Sequence, residues 1–269
     1  MFLALGYRLA RLAHGEVGIK TGCLGSIICH GLNNMLRTKL GELAKVIYLS
    51  HHSRLSRAEA LGVVFWERFL DLNALLLLGL LPAALVGQGE LLWPLGLGLL
   101  GLWGVLLLFG HWRTLSLRLI ALFPFARLRA FLLELHGHLQ ARLSPVFLLA
   151  GGGYTLLIWL IAVAQAMLVF YWVADLPITP LQALTVFVVA TLGLSIPSTP
   201  GGIGLFEAAV VLSLGWFGVA REEALGAALV MRMVVFIPTT LLTLLLLSRQ
   251  ELGVMALLRR GESGSERGP

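Results

Sequence analysis

The chain has 269 residues, of which 58% are hydrophobic and 13% charged, with a mean hydropathy of +0.90 and a net charge of +6. Soluble domains carry about 25% charged residues, so the composition excludes an ordinary water-soluble fold and points to lipid as the solvent. Two cysteines, Cys23 and Cys29, share one apolar stretch with no ligand pattern around them, which argues against a disulfide framework and for inert buried thiols.

The opening MFLALGYRLARLAHG is too short and too interrupted by arginine for a secretory leader, and reads as the tail of an interfacial helix. A broken apolar segment follows at about 19–50, interrupted at NNMLRTKLGE. Continuous apolar runs at about 59–86 and 91–110 then reach the length of about 20 residues that a spanning helix needs. From Trp112 to Ser144, the residues Arg113, Arg118, Arg127, Arg129 and Arg142 alternate with Leu and Phe, which predicts one basic amphipathic helix on a membrane surface. Further spans fall at about 145–173 and 222–248, and between them lies a second broken segment, about 181–219, interrupted at PSTPGGIG. Residues 249–269 form a polar, Gly/Ser-rich tail that predicts disorder. Each broken segment is either a re-entrant pair of half-helices or two short crossings; either way the chain leaves on the face it entered. The expected fold class is all-α: a polytopic integral membrane protein with one transmembrane domain over 1–248, in which helices 91–173 link two halves at 19–86 and 181–248.

The charges are placed unevenly. Counting crossings puts Arg37, Lys39, Lys45, Arg54 and Arg57 on the face that carries the Trp112–Ser144 segment, together with Arg249, Arg259, Arg260 and Arg267 of the tail. The opposite loops GQGE, ADLPITP and GWFGVAREE hold a single arginine, Arg221. This asymmetry assigns the basic face and the C-terminus to the cytoplasm, in a cell (inner) membrane. It also makes the net charge a topology signal and not a nucleic-acid footprint.

The two halves resemble each other. RAEALGVVFWER (Arg57–Arg68) and REEALGAALVMR (Arg221–Arg232) agree at six of twelve positions without a gap, and each follows a broken segment with a glutamate after its break, Glu42 and Glu207. The first motif starts on the basic face and the second on the other, so the halves are read as inverted repeats, an architecture of transporters whose sites lie near mid-membrane.

Ser56-Arg57-Ala58-Glu59 predicts a capping box and a helix start at Ser56. At about 1.5 Å per residue, Arg68 then sits roughly 18 Å into that helix and Asp71 about 22 Å, with Arg232 at the matching depth from the other face. Glu67 and Asp71 share a face, and Arg68 reaches Asp71. An arginine at that depth costs a few kcal/mol unless paired or wet. Arg68 and Arg232 therefore either pair with Glu42, Glu207 or Asp71 to lock the halves together, or line a polar cavity and hold an anion such as a lipid phosphate; the two roles are compatible. In SIPSTPGGIGLFEAA, Pro197 and Pro200 forbid a continuous helix, Gly201, Gly202 and Gly204 let the backbone turn, and a half-helix beginning near Ile203 offers free N–H groups to an anion. The alternative is a proline–glycine loop outside the membrane between two ordinary spans. A nucleotide loop does not fit, because no Gly-Lys-Ser/Thr follows. His136 and His138 stand two apart and do not share a helix face, and His51-His52 reads as an interfacial pair, so no metal site and no cofactor are expected. Hydrolase and metalloenzyme motifs such as GxSxG and HExxH do not occur.

These residues resemble the lysylphosphatidylglycerol synthase transmembrane region. The likeness runs over about 30–248 and rests on Asn34 with Lys39, Gly41 and Glu42; on Glu67, Arg68 and Asp71; on Pro197, Pro200, Gly201, Gly202, Gly204 and Glu207, its most specific block; and on Glu223, Ala224, Leu225 and Arg232. Arg37 stands about where that family has a proline, and the further helices that usually precede the Asn motif have no counterpart. The resemblance implies a lipid flippase rather than an enzyme, with a phospholipid or other anionic lipid as its partner within the bilayer. Its expected substrate-binding set is Arg68, Arg232, Glu42, Glu207, Asp71, Glu67, Lys39, Asn34, Gly201, Gly202 and Gly204. Two alternatives stand beside it: an integral-membrane enzyme acting on a lipid phosphate or polyprenyl carrier, and a subunit that docks a cytoplasmic synthase or glycosyltransferase through the basic segment.

Overall fold

A computed structural model describes residues 1–36, 40–87, 89–111, 113–195 and 199–248. Among them the chain is all helix, with no strand. Four helices are long and apolar enough to cross a membrane: α4 (Arg57–Leu85), α5 (Leu92–His111), α8 (Pro145–Trp172) and α11 (Arg221–Ser248). They coincide with the four spans expected from hydropathy. The predicted capping box opens α4: Ser56 Oγ accepts the Glu59 N–H at 3.1 Å, and Glu59 Oε2 accepts the Ser56 N–H at 2.7 Å.

Each broken segment is a pair of helices packed side by side. The first comprises α2 (Ile19–Met35) and α3 (Gly41–His52), and the second α9 (Pro180–Ser195) and α10 (Leu205–Gly215). With 12 and 11 residues, α3 and α10 are each under about 20 Å long, short of the roughly 30 Å of a hydrocarbon core. The two halves then exchange partners, since α11 packs on α2 and α4 packs on α9.

The first helix, α1 (Phe2–Leu12), departs from its expected place at a membrane surface. It lies against α2, α4 and α8 with Leu5, Arg8, Leu9 and Leu12 buried on one face. Two glycines permit that approach: a Cβ on Gly6 would lie 2.7 Å from the Cys23 nitrogen, and one on Gly22 would lie 2.8 Å from the Gly6 carbonyl oxygen. Small residues at such a crossing bring backbones close where lipid offers no hydrophobic drive of its own.

The basic segment also differs from a single helix. It forms α6 (Arg113–Ala121) and α7 (Ala126–Ala141), divided by Leu122–Phe125; Pro124, lacking an amide donor, breaks the run there. Arg118, Arg127 and Arg129 are exposed as expected, whereas Arg142, at the end of α7, is buried.

Two large apolar cores fill the bundle, beside a small one of Ile28, Ala44 and Tyr48 between α2 and α3. One gathers Leu9, Leu49, Val63, Trp66 and Leu70 from α1, α3 and α4; the other gathers Phe170, Val186, Phe206, Val210 and Ala228 from α8 to α11. The polar centre is built from side chains on these same helices.

Candidate functional site

Helix α4 carries Glu67, Arg68 and Asp71 into the bundle, and three other helices, α1, α3 and α8, supply their partners. Arg8 of α1 is 1% exposed and donates to both carboxylates: Nη1 to Asp71 Oδ1 at 2.5 Å, and Nη2 to Glu67 Oε1 at 2.8 Å. Its Nη1 also reaches Thr155 Oγ1 of α8 at 3.2 Å. Lys45 of α3 is fully buried and donates to Glu67 Oε2 at 2.5 Å and to Ser26 Oγ of α2 at 3.2 Å. Trp159 Nε1 of α8 donates to Asp71 Oδ1 at 3.1 Å. Every carboxylate oxygen of Glu67 and Asp71 is thus engaged, as charges in so apolar a setting require.

Arg68 is held differently. Its Nη2 lies 3.1 Å from Asp71 Oδ2, but the approaches to Glu42 and Glu67 are both 4.0 Å, and its side chain is 40% exposed. It is the most open cation of this cluster. Beside it an apolar cavity of about 390 Å³ runs between α4, α5 and α7, lined by Phe65, Phe69, Leu102, Leu106 and Leu139 as well as Arg68. Glu42, in the first turn of α3, is held by Asn33 Nδ2 at 3.2 Å from each oxygen, while Asn33 Oδ1 accepts the Gly41 N–H at 2.9 Å.

The second break has its own charge pair. Glu207, three residues into α10, accepts the Gly204 N–H on Oε2 at 2.7 Å. The helix start therefore supplies its own anion, and one of the N–H groups expected to be open there, that of Gly204, is occupied. Arg232 of α11 donates Nε to Glu207 Oε1, Nη2 to Glu207 Oε2 at 3.0 Å, Nη1 to the Gly201 carbonyl at 2.9 Å and Nη2 to the Gly202 carbonyl at 3.2 Å. Its guanidinium lies over the rings of Phe206 and Phe236, 5.0 and 4.6 Å from their centroids, and the two rings pack tilted against each other with centroids 5.6 Å apart. Four of the five N–H donors of a guanidinium are committed here, so Arg232 is fixed where Arg68 is loose.

Consecutive residues at the end of α2 join the two breaks. Asn33 serves Glu42, and Asn34 donates Nδ2 to Thr240 Oγ1 of α11 at 3.3 Å while its backbone borders Gly201. Of the residues expected to form the site, Glu42, Glu67, Arg68 and Asp71 come together on one side, and Gly201, Gly202, Gly204, Glu207 and Arg232 on the other, with Asn34 between them. Lys39 and Pro197 lie outside the described residues.

Sequence reasoning missed Arg8 and placed Lys45 on the basic face. The signal for Arg8 is its position on the Leu5–Leu9–Leu12 face of an amphipathic helix, where a surface arginine does not belong. The signal for Lys45 is Glu67, a carboxylate inside an apolar run that requires a cation to face it.

A family model described as the lysylphosphatidylglycerol synthase TM region matches residues 8–243. No curated protein and no solved structure matches the chain.

Proposed function

We propose, from the premise that the chain belongs to the lysylphosphatidylglycerol synthase TM region family, that it moves a phospholipid or other anionic lipid between the leaflets of a cell membrane. The family itself marks a membrane protein concerned with lipid modification or translocation. The observation that carries the finer reading is Arg68: a partly exposed side chain with one close carboxylate partner, at the wall of an apolar cavity. A cation beside an apolar slot matches an amphiphile with an anionic head and an acyl tail.

In this reading a phosphate displaces the 4.0 Å approach of Glu42 to Arg68, and Asp71 holds the guanidinium in place. Arg8 and Lys45 hold Glu67 and Asp71 in place. Arg232 and Glu207 secure the glycine break, whose carbonyls a lipid-facing helix would otherwise leave bare. The exchange of partners between halves supports inverted repeats with re-entrant tips, which rock against each other around the site. No covalent step is involved, so the protein acts as a translocase and not as an enzyme. The basic face and the C-terminus lie in the cytoplasm.

Flipping of fluorescent phospholipids in proteoliposomes, read by dithionite quenching, tests this. Arg68→Ala loses the protein-dependent flipping while its melting temperature stays near that of the parent. A parent protein that flips no lipid, or an Arg68→Ala variant that flips normally, overturns the reading.

A further inference from the structure

The first turn of α4 and one face of α7 hold a cluster that lipid movement does not use. Glu134 and His138 stand four residues apart on α7 and so project from the same face. That face meets α4 at Gly62, where an added Cβ would still lie 3.6 Å from the His138 Cβ. His138 Nε2 is 2.9 Å from Glu59 Oε1. One ligand atom from each of Glu59, Glu134 and His138 falls within 4.8 Å of the other two. The second Glu59 oxygen accepts the Ser56 N–H at 2.7 Å, so the helix cap itself aims Oε1 at His138. Outer hydrogen bonds of this kind orient metal ligands. Glu134 is exposed, and the side chains of His138 and Glu59 are 29% and 26% exposed, so an ion reaches the cluster from solvent.

An imidazole and two carboxylates from two helices form a donor set for a first-row divalent ion, zinc above all. We propose that Glu59, Glu134 and His138 bind a divalent transition-metal ion of the zinc type, which staples α7 to the first turn of α4. Bond lengths of about 2.0–2.2 Å draw the donors of a tetrahedral site to roughly 3.3 Å from one another, a closure that rotation of the exposed Glu134 supplies. Water takes the fourth position. The ion binds the Nε2 lone pair of a neutral ring whose proton sits on Nδ1. Arg142, one turn beyond His138 and buried, has Glu59 as a neighbouring opposite charge.

The full chain in detergent, stripped with chelator, is titrated with cobalt(II) chloride and then with zinc chloride in competition. The expected result is one saturating cobalt per chain with tetrahedral d–d absorption, displaced by zinc. His138→Gln and Glu134→Gln each weaken it by more than about tenfold, and both lose the zinc-dependent rise in melting temperature. Glu134→Gln alters an exposed side chain, so it reports on a folded protein even where His138→Gln loosens α7. Absence of a saturable cobalt site, or cobalt binding that both variants retain, overturns the proposal and leaves His138 and Glu59 as a plain ion pair.

Discussion

Arg8 and Arg68 grip the same aspartate, and their burial decides what each does. Arg8 is 1% exposed and bonded to two carboxylates, so Arg8→Ala leaves Glu67 and Asp71 short of a partner inside the bundle. Breaking a buried pair on one side costs about 3–5 kcal/mol. Arg68 has only Asp71 at close range, its side chain 40% exposed beside an apolar cavity; without it Asp71 still holds Arg8 and Trp159, so Arg68→Ala loses less than Arg8→Ala. Thermal melts in one detergent should therefore separate the two variants; equal losses would show that Arg68 is a structural lock. Arg68, Asp71 and Glu67 were legible in the sequence because charges inside an apolar run stand out. Arg8 and Lys45 were less so, because their segments are short or broken; the apolar face around Arg8 hints at its burial, and the tertiary approach to Glu67 shows both to be inside.

At the scale of the element, the second break depends on three glycines with positive φ, at +60° for Gly201, +63° for Gly202 and +87° for Gly204. They differ in surroundings. A Cβ on Gly201 would come within 2.8 Å of the Asn34 carbonyl oxygen, while one on Gly204 meets nothing within 4 Å. Left-handed backbone costs a non-glycine residue about 1–2 kcal/mol, and Gly204, at φ +87° and ψ −45°, lies outside even the left-handed helical well, so Gly204→Ala loses at least that much. Gly201→Ala loses more, because the break must also move away from α2. Gly226, inside α11 with open space around it, gains about 0.5–1 kcal/mol as alanine. Denaturant melts that fail to rank the three in this order would overturn this account of the break. The second break was legible from Pro and Gly placement, and the first from the polar run NNMLRTKLGE. The division of α6 from α7 was overlooked, although Pro124 stands in plain view, because the alternation of Arg with Leu and Phe continues on either side of it.

At the scale of the whole molecule, what matters is how the two halves face the membrane. The repeated motif opens both α4 and α11, and α4 packs on α9 as α11 packs on α2. A two-fold axis in the membrane plane relates such halves only if the first turns of α4 and α11 open to opposite faces. The charge pattern argues the same way: Arg54, Arg57, Arg118, Arg127 and Arg129 are exposed around the start of α4 and on α6 and α7, whereas exposed Glu222 and Glu223 accompany Arg221 at the start of α11. Burial of Lys45 removes one charge from the basic face and leaves the asymmetry standing. Single cysteines at Arg127→Cys and Glu222→Cys, on a background with Cys23 and Cys29 changed to alanine, put this to the test with a membrane-impermeant maleimide. In vesicles of known orientation, Arg127→Cys should label from the cytoplasmic side only and Glu222→Cys from the opposite side only. Labelling of both from one side would abolish the two-fold relation, and the rocking of one half against the other would lose its structural basis.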